Sequence, residues 1–489
     1  MKKRLFIHLL LIAIGIALAP LASAADPRFE SVRTVARTLP LEGALLVDHR
    51  FGDIVVKAHD RASVVVSARV RTAAESKALA DQLSNEISVD IAPRGRDVRI
   101  QTKYPERNQM KNISFRVDYE IAMPAKSSLR IETSFGEVDV RGLHARVDVT
   151  GGHGAVSVRD VTGAIELSNR FGKTEASGIR GDATINNQNG NVQVNDVSGA
   201  VKIRDRFGEV KAENVGSATI MNANGAVIVS AVRGAAVLES TFGFVRADKV
   251  GAGLKINNQN GNVAVSEITG DADLSTTFGK IDVRGVSGRA IIESTNSGVE
   301  VDDARGGARV QNTFGEVRVT KSGRGVEVEN SNGKVQVVDA GGNVMVSNSF
   351  ALVDLTDIRG SVDVDASNGP VRVQSVSERV DVATTFGGVF IKGAAGPVTV
   401  RNENGSVDVS LARTGACRPV SLATTFGAMK VELPPGSSWD VDARTTFGAI
   451  RSELPVTVRG ETGQTLKGTI GSGGCKLQLQ NSNGGIEIR

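Results

Sequence analysis

Apolar residues fall along this chain in short alternating bursts that return at a fixed interval. In Thr276-Thr277-Phe278-Gly279-Lys280-Ile281-Asp282-Val283 a Phe-Gly pair opens an alternating strand. Half a repeat away, Asn260-Gly261-Asn262-Val263-Ala264-Val265 does the same with Asn in place of Phe. The Phe-Gly glycines stand at Gly136, Gly172, Gly208, Gly243, Gly279, Gly315, Gly387 and Gly427, with Ala351 in the same slot, and most steps are 36 residues. The Asn-Gly glycines lie midway, at Gly190, Gly225, Gly261, Gly333, Gly369 and Gly405, with Gly154 preceding them. The basic step is therefore about 18 residues, a period that signals a repeat architecture. One slip corrects itself if Ser297, not Gly298, takes the glycine slot, which brings Val299 and Val301 back into phase.

Counted from each glycine, apolar residues recur at the second, fourth, seventh, eleventh and thirteenth positions. Near one end these are Val138, Val140, Leu143, Val147 and Val149; near the other, Val389, Ile391, Ala394, Val398 and Val400. Alternation with period two sends one set inward and the other outward. The outward set (Glu137, Asp139, Arg146, Asp148) mixes both signs of charge. No single unit can bury its apolar face, whereas stacked units bury a continuous core and pair each strand with the next coil. The pattern predicts an all-β chain, a parallel β-solenoid (β-helix) of 18-residue coils grouped in 36-residue double repeats. Roughly sixteen units at about 4.8 Å each give a rod on the order of 75 Å. A 36-residue coil, with Phe stacked on Phe and Asn on Asn, is the second reading. In either, Gly relieves the corner, where positive φ is easy for Gly or Asn, and the corner phenylalanines are expected to pack in the core.

The ends differ from the array. Residues 1–24 read as a secretory signal, with Lys2, Lys3 and Arg4 before an apolar run that closes on Ala22-Ser23-Ala24. Residues 25–130 read as a small α+β N-terminal cap. It holds one coil-like piece, Leu45 to Val56, and one helix over Thr72 to Glu86 with Ala80, Leu83 and Ile87 on its apolar face. Residues 131–412 are the regular array. Residues 413–489 are irregular coils and a cap, interrupted by Pro434, Pro435 and Pro455, and the Phe-Gly step from Gly427 to Gly448 is 21 residues. The two cysteines, Cys417 and Cys475, both fall here, and in an exported chain a bridge between them is favoured over two separate thiols.

Charge and chemistry narrow the function. With 58 Lys+Arg against 54 Asp+Glu the chain is close to balance, which argues against a nucleic-acid partner. No second long apolar segment follows the signal, so no transmembrane span is expected. The histidines are His8, His49, His59, His144 and His153, so residues 154–489 cannot supply a Ser-His-Asp triad or a His-rich zinc site. His49 and His59 read as surface residues in preference to a metal pair. Gly172-Lys173-Thr174 lacks the upstream glycine of a phosphate loop. Asp302-Asp303, the densest acidic pair of the array, occupies a turn. Sugar-binding faces usually present Trp or Tyr, and this chain has only Trp439, Tyr104 and Tyr119. Catalytic, cofactor and metal residues are accordingly expected to be none.

The Gly-x-Val-x-Val units, the run Val117-Asp118-Tyr119-Glu120-Ile121-Ala122-Met123-Pro124 and the ending Asn483-Gly484-Gly485-Ile486-Glu487-Ile488 resemble the bacterial putative adhesin family of exported β-solenoid domains, over about residues 40–489. The resemblance implies an exported or envelope-associated protein and carries over no catalytic residue. The leading expectation is a non-enzymatic exported scaffold or adhesin-like binding protein of the cell envelope, periplasmic or at the surface, with an envelope protein or polysaccharide as partner. A carbohydrate-active or carbohydrate-binding solenoid and a self-polymerising envelope protein are the alternatives.

Overall fold

The computed structural model describes residues 29–105, 112–413 and 417–489. The signal peptide expected over 1–24 lies outside the described residues. The described chain is a parallel β-solenoid of about seventeen turns with about 18-residue spacing and one helix.

One rung contributes two strands. Leu254–Asn260 precedes the corner glycine and Val263–Ile268 follows it; the next rung repeats them as Ala272–Phe278 and Ile281–Val286. First strands pair in register with first strands (Leu254 with Ala272, Ile256 with Leu274), and second with second (Val263 with Ile281). Two long parallel sheets result, here called upstream and downstream of the corner. Phe278 pairs with Asn260 on one side and Asn296 on the other, so the coil is 18 residues and Phe and Asn share one corner.

The apolar slots lie where the periodicity puts them. In the rung of Gly279, the side chains of Ile281, Val283, Val286, Ala290 and Ile292 are all 1% exposed or less. Val and Ile suit these slots because branched side chains fill a pleated surface. They belong to one apolar cluster that runs the length of the solenoid. Each fully buried Val or Ile contributes on the order of 2 kcal/mol, and the rungs share that burial with their neighbours. The outward slots carry ion pairs between rungs, such as Lys255 to Asp273 at 3.1 Å and Arg401 to Asp381 at 3.1 Å. Exposed pairs of this kind are worth at most about 1 kcal/mol each.

Ser297 does occupy the glycine slot: its N–H donates to Phe314 O at 2.9 Å, as Gly261 N–H donates to Phe278 O and Gly315 N–H to Asn332 O along the same corner. Through the regular array a second turn ladder stands six residues beyond the corner position, where the backbone is left-handed even without glycine. Asp196, Asn214, Lys249, Glu267, Asp303 and Lys321 all sit there at φ between 52° and 59°.

The N-terminal segment both starts and covers the solenoid. It comprises β1 (Phe29–Pro40), β2 (Leu45–Phe51), β3 (Ile54–His59), β4 (Ser63–Ala74), α1 (Lys77–Glu86), β5 (Ser88–Arg94), β6 (Asp97–Lys103) and β7 (Ser114–Pro124), followed by β8 (Leu129–Phe135) and β9 (Val138–Arg141). β2 lies between β6 and β8, and β3 between β7 and β9, all parallel. Beyond them the sheets turn antiparallel, with β5 on β6, β4 on β7 and β1 on β4. A parallel edge that would invite another chain is thus covered. The helix begins later than its composition suggests, because Thr72 to Ala74 complete β4. Ser76 caps it by accepting from Leu79 N–H, and Ala80 and Leu83 are buried beneath it. Arg33 reaches its far end and donates to the carbonyls of Ser84 and Ile87, both at 2.8 Å, satisfying acceptors that a helix end leaves open.

At the other end chain order and spatial order part. In the upstream sheet Val420–Phe426 is followed in space by Lys476–Asn483 and only then by Trp439–Phe447. The antiparallel strands Thr465–Ile470 and Thr457–Thr462 close this sheet. The downstream sheet repeats the inversion, Ile486–Ile488 lying between Met429–Glu432 and Ile450–Ser452. The 21-residue step from Gly427 to Gly448 is the trace of this insertion. A disulfide joins Cys417 to Cys475 (Cα–Cα 5.3 Å), just ahead of the paired residues Val420 and Leu477.

Candidate functional site

The corner phenylalanines overturn the expectation that they pack in the core. Phe242, Phe278, Phe314, Phe350, Phe386 and Phe426 are each 50–53% exposed. The reason is a break in parity. Along Ala272–Phe278 the side chains alternate until Thr276, which is buried; Thr277 and Phe278 then both face solvent. Gly279 at φ +123° turns the chain there, so the slot that strict alternation would send inward lands outside the corner. Phe278→Ala is accordingly expected to leave the melting temperature of the folded chain within about 1 °C, since exposed substitutions away from special features stay within ±0.5 kcal/mol. A scanning-calorimetry loss of several degrees would place the ring back in the core.

The result is a stripe along one corner in which Phe and Asn alternate rung by rung. It persists through the C-terminal inversion, where Phe426 pairs with Asn483 and Asn483 with Phe447. Toward the N-terminus the stripe becomes a continuous stack: Phe51 on Phe135 at 5.3 Å, Phe135 on His153 at 4.8 Å and His153 on Phe171 at 4.6 Å.

The amides that hold the corner stand two residues before the stripe. Asn258 is 1% exposed and its Nδ2 donates to Gly261 O (2.8 Å) and to Gly243 O on the preceding rung (3.3 Å). Asn330 and Asn402 repeat this bridge at their own corners. Asn260, on the stripe itself, is half-buried and donates to Thr241 O at 3.3 Å. The signal was present in the recurring Asn, Ser and Thr of the third position before most corner glycines, hidden because small polar residues also mark turns.

One rung places a carboxylate in this ladder. Asp205 is 7% exposed, accepts from Asn187 Nδ2 at 2.9 Å, and has its carboxyl pushed up from the usual aspartate range by burial. A raised native value means that the folded chain holds the proton more tightly than the unfolded one. This stabilisation is full below the ordinary value of 3.8 and is lost as pH rises through the native value. Asp205→Asn is expected to stabilise the chain at neutral pH by about 1–2 kcal/mol and to flatten that part of the pH profile. Thermal melts of both proteins across the acid range check it; a less stable variant at pH 7 sinks it.

Beside the stripe, on the outer face of the upstream sheet, runs an open trough of about 670 Å³. Its walls are hydroxyls and amides from about six successive rungs, including Asn257, Ser275, Thr277, Gln311 and Ser349, and its only ionisable groups are Glu293 and Glu329. Glu329 accepts from Gln311 Nε2 at 2.9 Å and lies 3.9 Å from Arg309.

The other sites weighed from sequence fall elsewhere. His49 is buried beneath the N-terminal cover, near Thr102 (3.2 Å) and edge-on to Tyr119 (5.0 Å), and burial lowers its pKa to about 4. His59 instead accepts from Arg61 N–H, so the two do not converge. Because His49 is harder to protonate folded than unfolded, its contribution is complete above about pH 6.5 and is lost as pH falls toward about 4. This acid loss, up to about 3 kcal/mol, is expected to shrink in His49→Gln; urea melts at pH 7 and pH 4 measure it. Asp302 takes Thr320 Oγ1 (2.8 Å) and lies 3.5 Å from Lys321, while Asp303 lies 3.7 Å from Arg305, so each carboxylate already has a cation. Among the described residues no group of three His, Cys, Asp or Glu could hold a metal. Trp439 and Tyr119 are buried and Tyr104 half-buried, leaving the phenylalanines as the exposed aromatic surface.

Comparison with known proteins agrees with the adhesin-like resemblance. Residues 325–489 match the Toastrack DUF4097 family, a domain of unknown function. The solved structure of a putative cell adhesion protein from Clostridium sporogenes is similar at 11% identity, over 52% of this chain and 99% of that one, with a TM-score of 0.15. That value is too low to carry an argument. No curated protein matches.

Proposed function

We infer that this chain is a non-enzymatic, adhesin-like scaffold of the cell envelope, exported and periplasmic or surface-associated, which holds a partner along its length. The observation that carries the reading is the stripe of half-exposed phenylalanines, held at regular intervals by a fold that does not need them for its core. Solenoids bind through extended faces, and this line of aromatic rings runs along one. The secretory pattern of residues 1–24 and the Cys417–Cys475 bridge support export. Among the described residues no helix is long and apolar enough to cross a membrane. The antiparallel strands over the N-terminal ends and over the upstream sheet's C-terminal end argue against end-to-end polymerisation.

The chain lacking residues 1–24, immobilised, is expected to retain envelope material, and Phe278→Ala/Phe314→Ala to release it with no change in melting. Retention that ignores the double substitution, or no retention at all, sinks the reading. A second reading, polysaccharide hydrolysis, draws on Glu293 and Glu329, which occupy the same slot two rungs apart in one trough. Two rungs span about 9.6 Å, near the upper end of the carboxyl separations of inverting glycosidases. Turnover of an envelope polysaccharide abolished by Glu293→Gln would replace the scaffold reading.

A further inference from the structure

We propose that the trough and the Phe/Asn stripe together form a binding site for a neutral, extended β-1,4-linked glycan chain lying parallel to the solenoid axis. The proposal rests on the scaffold reading and names its ligand class.

Spacing is the first argument. Stacked rungs are about 4.8 Å apart, close to the length of one sugar in an extended β-1,4 chain. In such a chain each sugar is turned over relative to the last, so the same face returns at every second residue. The stripe has that period: Phe278, Phe314 and Phe350 lie two rungs apart, with Asn296 and Asn332 between them. A phenylalanine sets an apolar ring edge beside every second sugar, and the Asn between offers an amide to the hydroxyls at the rim of the sugar it lies beside.

The lining is the second argument. Thr277, Thr313 and Ser349 line the trough and each immediately precedes a stripe phenylalanine, so the aromatic stripe and the hydroxyl wall are neighbours along the chain. Hydroxyls and amides both donate and accept, as sugar hydroxyls do. No cation lines the trough; Arg309 at its edge is engaged with Glu329 at 3.9 Å, and the carboxylate of Glu293 disfavours an anionic polymer. On the stripe the Asn amide nitrogen is already engaged, Asn260 Nδ2 with Thr241 O and Asn404 Nδ2 with Thr385 O. That leaves the amide oxygen to accept from a sugar hydroxyl. The trough crosses about six rungs, so a hexasaccharide fills it.

Isothermal titration of the chain lacking residues 1–24 with chitohexaose, cellohexaose and, as the α-1,4 control, maltohexaose tests this. Binding of a β-1,4 hexamer is expected to exceed that of its trimer and of maltohexaose. Phe278→Ala/Phe314→Ala is expected to weaken it by about tenfold or more, while Phe314→Trp preserves or strengthens it. No binding of either β-1,4 hexamer, equal binding of maltohexaose, or indifference to the double substitution overturns the proposal. Stripe-dependent capture of an envelope protein, with no β-1,4 hexamer bound, would overturn the glycan assignment and leave the scaffold reading standing. Loss of envelope retention as well would remove both.

Discussion

Gly279→Val is expected to destabilise the chain by more than about 4 kcal/mol, the range reserved for changes that the backbone itself resists. Gly279 sits at φ +123°, and a Cβ there would lie 2.2 Å from Gly261 O and 2.4 Å from its carbonyl carbon. Both obstacles are backbone, and both belong to a corner that repeats on either side, so local relaxation would have to pass from rung to rung. Ala351 shows what a single methyl does in this slot. Its φ has moved to +85°, and the adjacent Gly333 N to Phe350 O bond has lengthened to 3.4 Å, against 2.8 Å for Gly261 N to Phe278 O. Gly279→Ala should therefore cost about 2 kcal/mol, and the β-branched valine considerably more because it cannot follow that shift. Chemical unfolding of the three proteins orders them; a valine variant as stable as the alanine one would mean that the corner yields freely.

Loss of the disulfide is expected to have the next largest effect, and a local one. The bridge closes 58 residues of sequence, for which the chain-entropy treatment gives about 4 kcal/mol. Cys417 is exposed, so Cys417→Ser removes the bridge without opening a cavity. What the bridge binds together is the junction where Lys476–Asn483 stacks on Val420–Phe426. Solenoid stability is close to a sum over neighbouring rungs, so the last rungs should open first while the array persists. Hydrogen exchange is expected to show lost protection over 420–489 and little change over 200–400. Uniform loss along the rod, or none, would contradict this.

The array was legible in the sequence because every rung repeats the same constraint. Ile281, Val283, Val286, Ala290 and Ile292 were assigned inward from period alone, and all five are buried. The outward stripe was not legible, because parity fails where Gly279 turns the chain. The inner amide ladder was obscured by residues such as Thr276 and Ser294 that take the Asn slot in other rungs. The second turn was invisible at Lys249, Glu267 and Lys321, whose side chains do not favour the left-handed backbone they adopt. There the inter-rung bonds dictate the conformation against local preference. The candidate site suffered most, since a recurring Phe in a Val-rich repeat reads as core until the corner geometry is known.

The inverted order at the C-terminal end has a consequence in time. A solenoid whose rungs follow the chain can grow as the chain is made, each coil settling on the one before. Here Trp439–Phe447 cannot take its place until Lys476–Asn483, synthesised later, has slipped in beneath it. The far end therefore works as a latch that Lys476–Asn483 closes, and a chain cut short before Lys476 is expected to keep its array and leave Val420–Phe426 as a bare parallel edge. The arrival of Lys476–Asn483 is thus written into the fold as the condition for covering that edge.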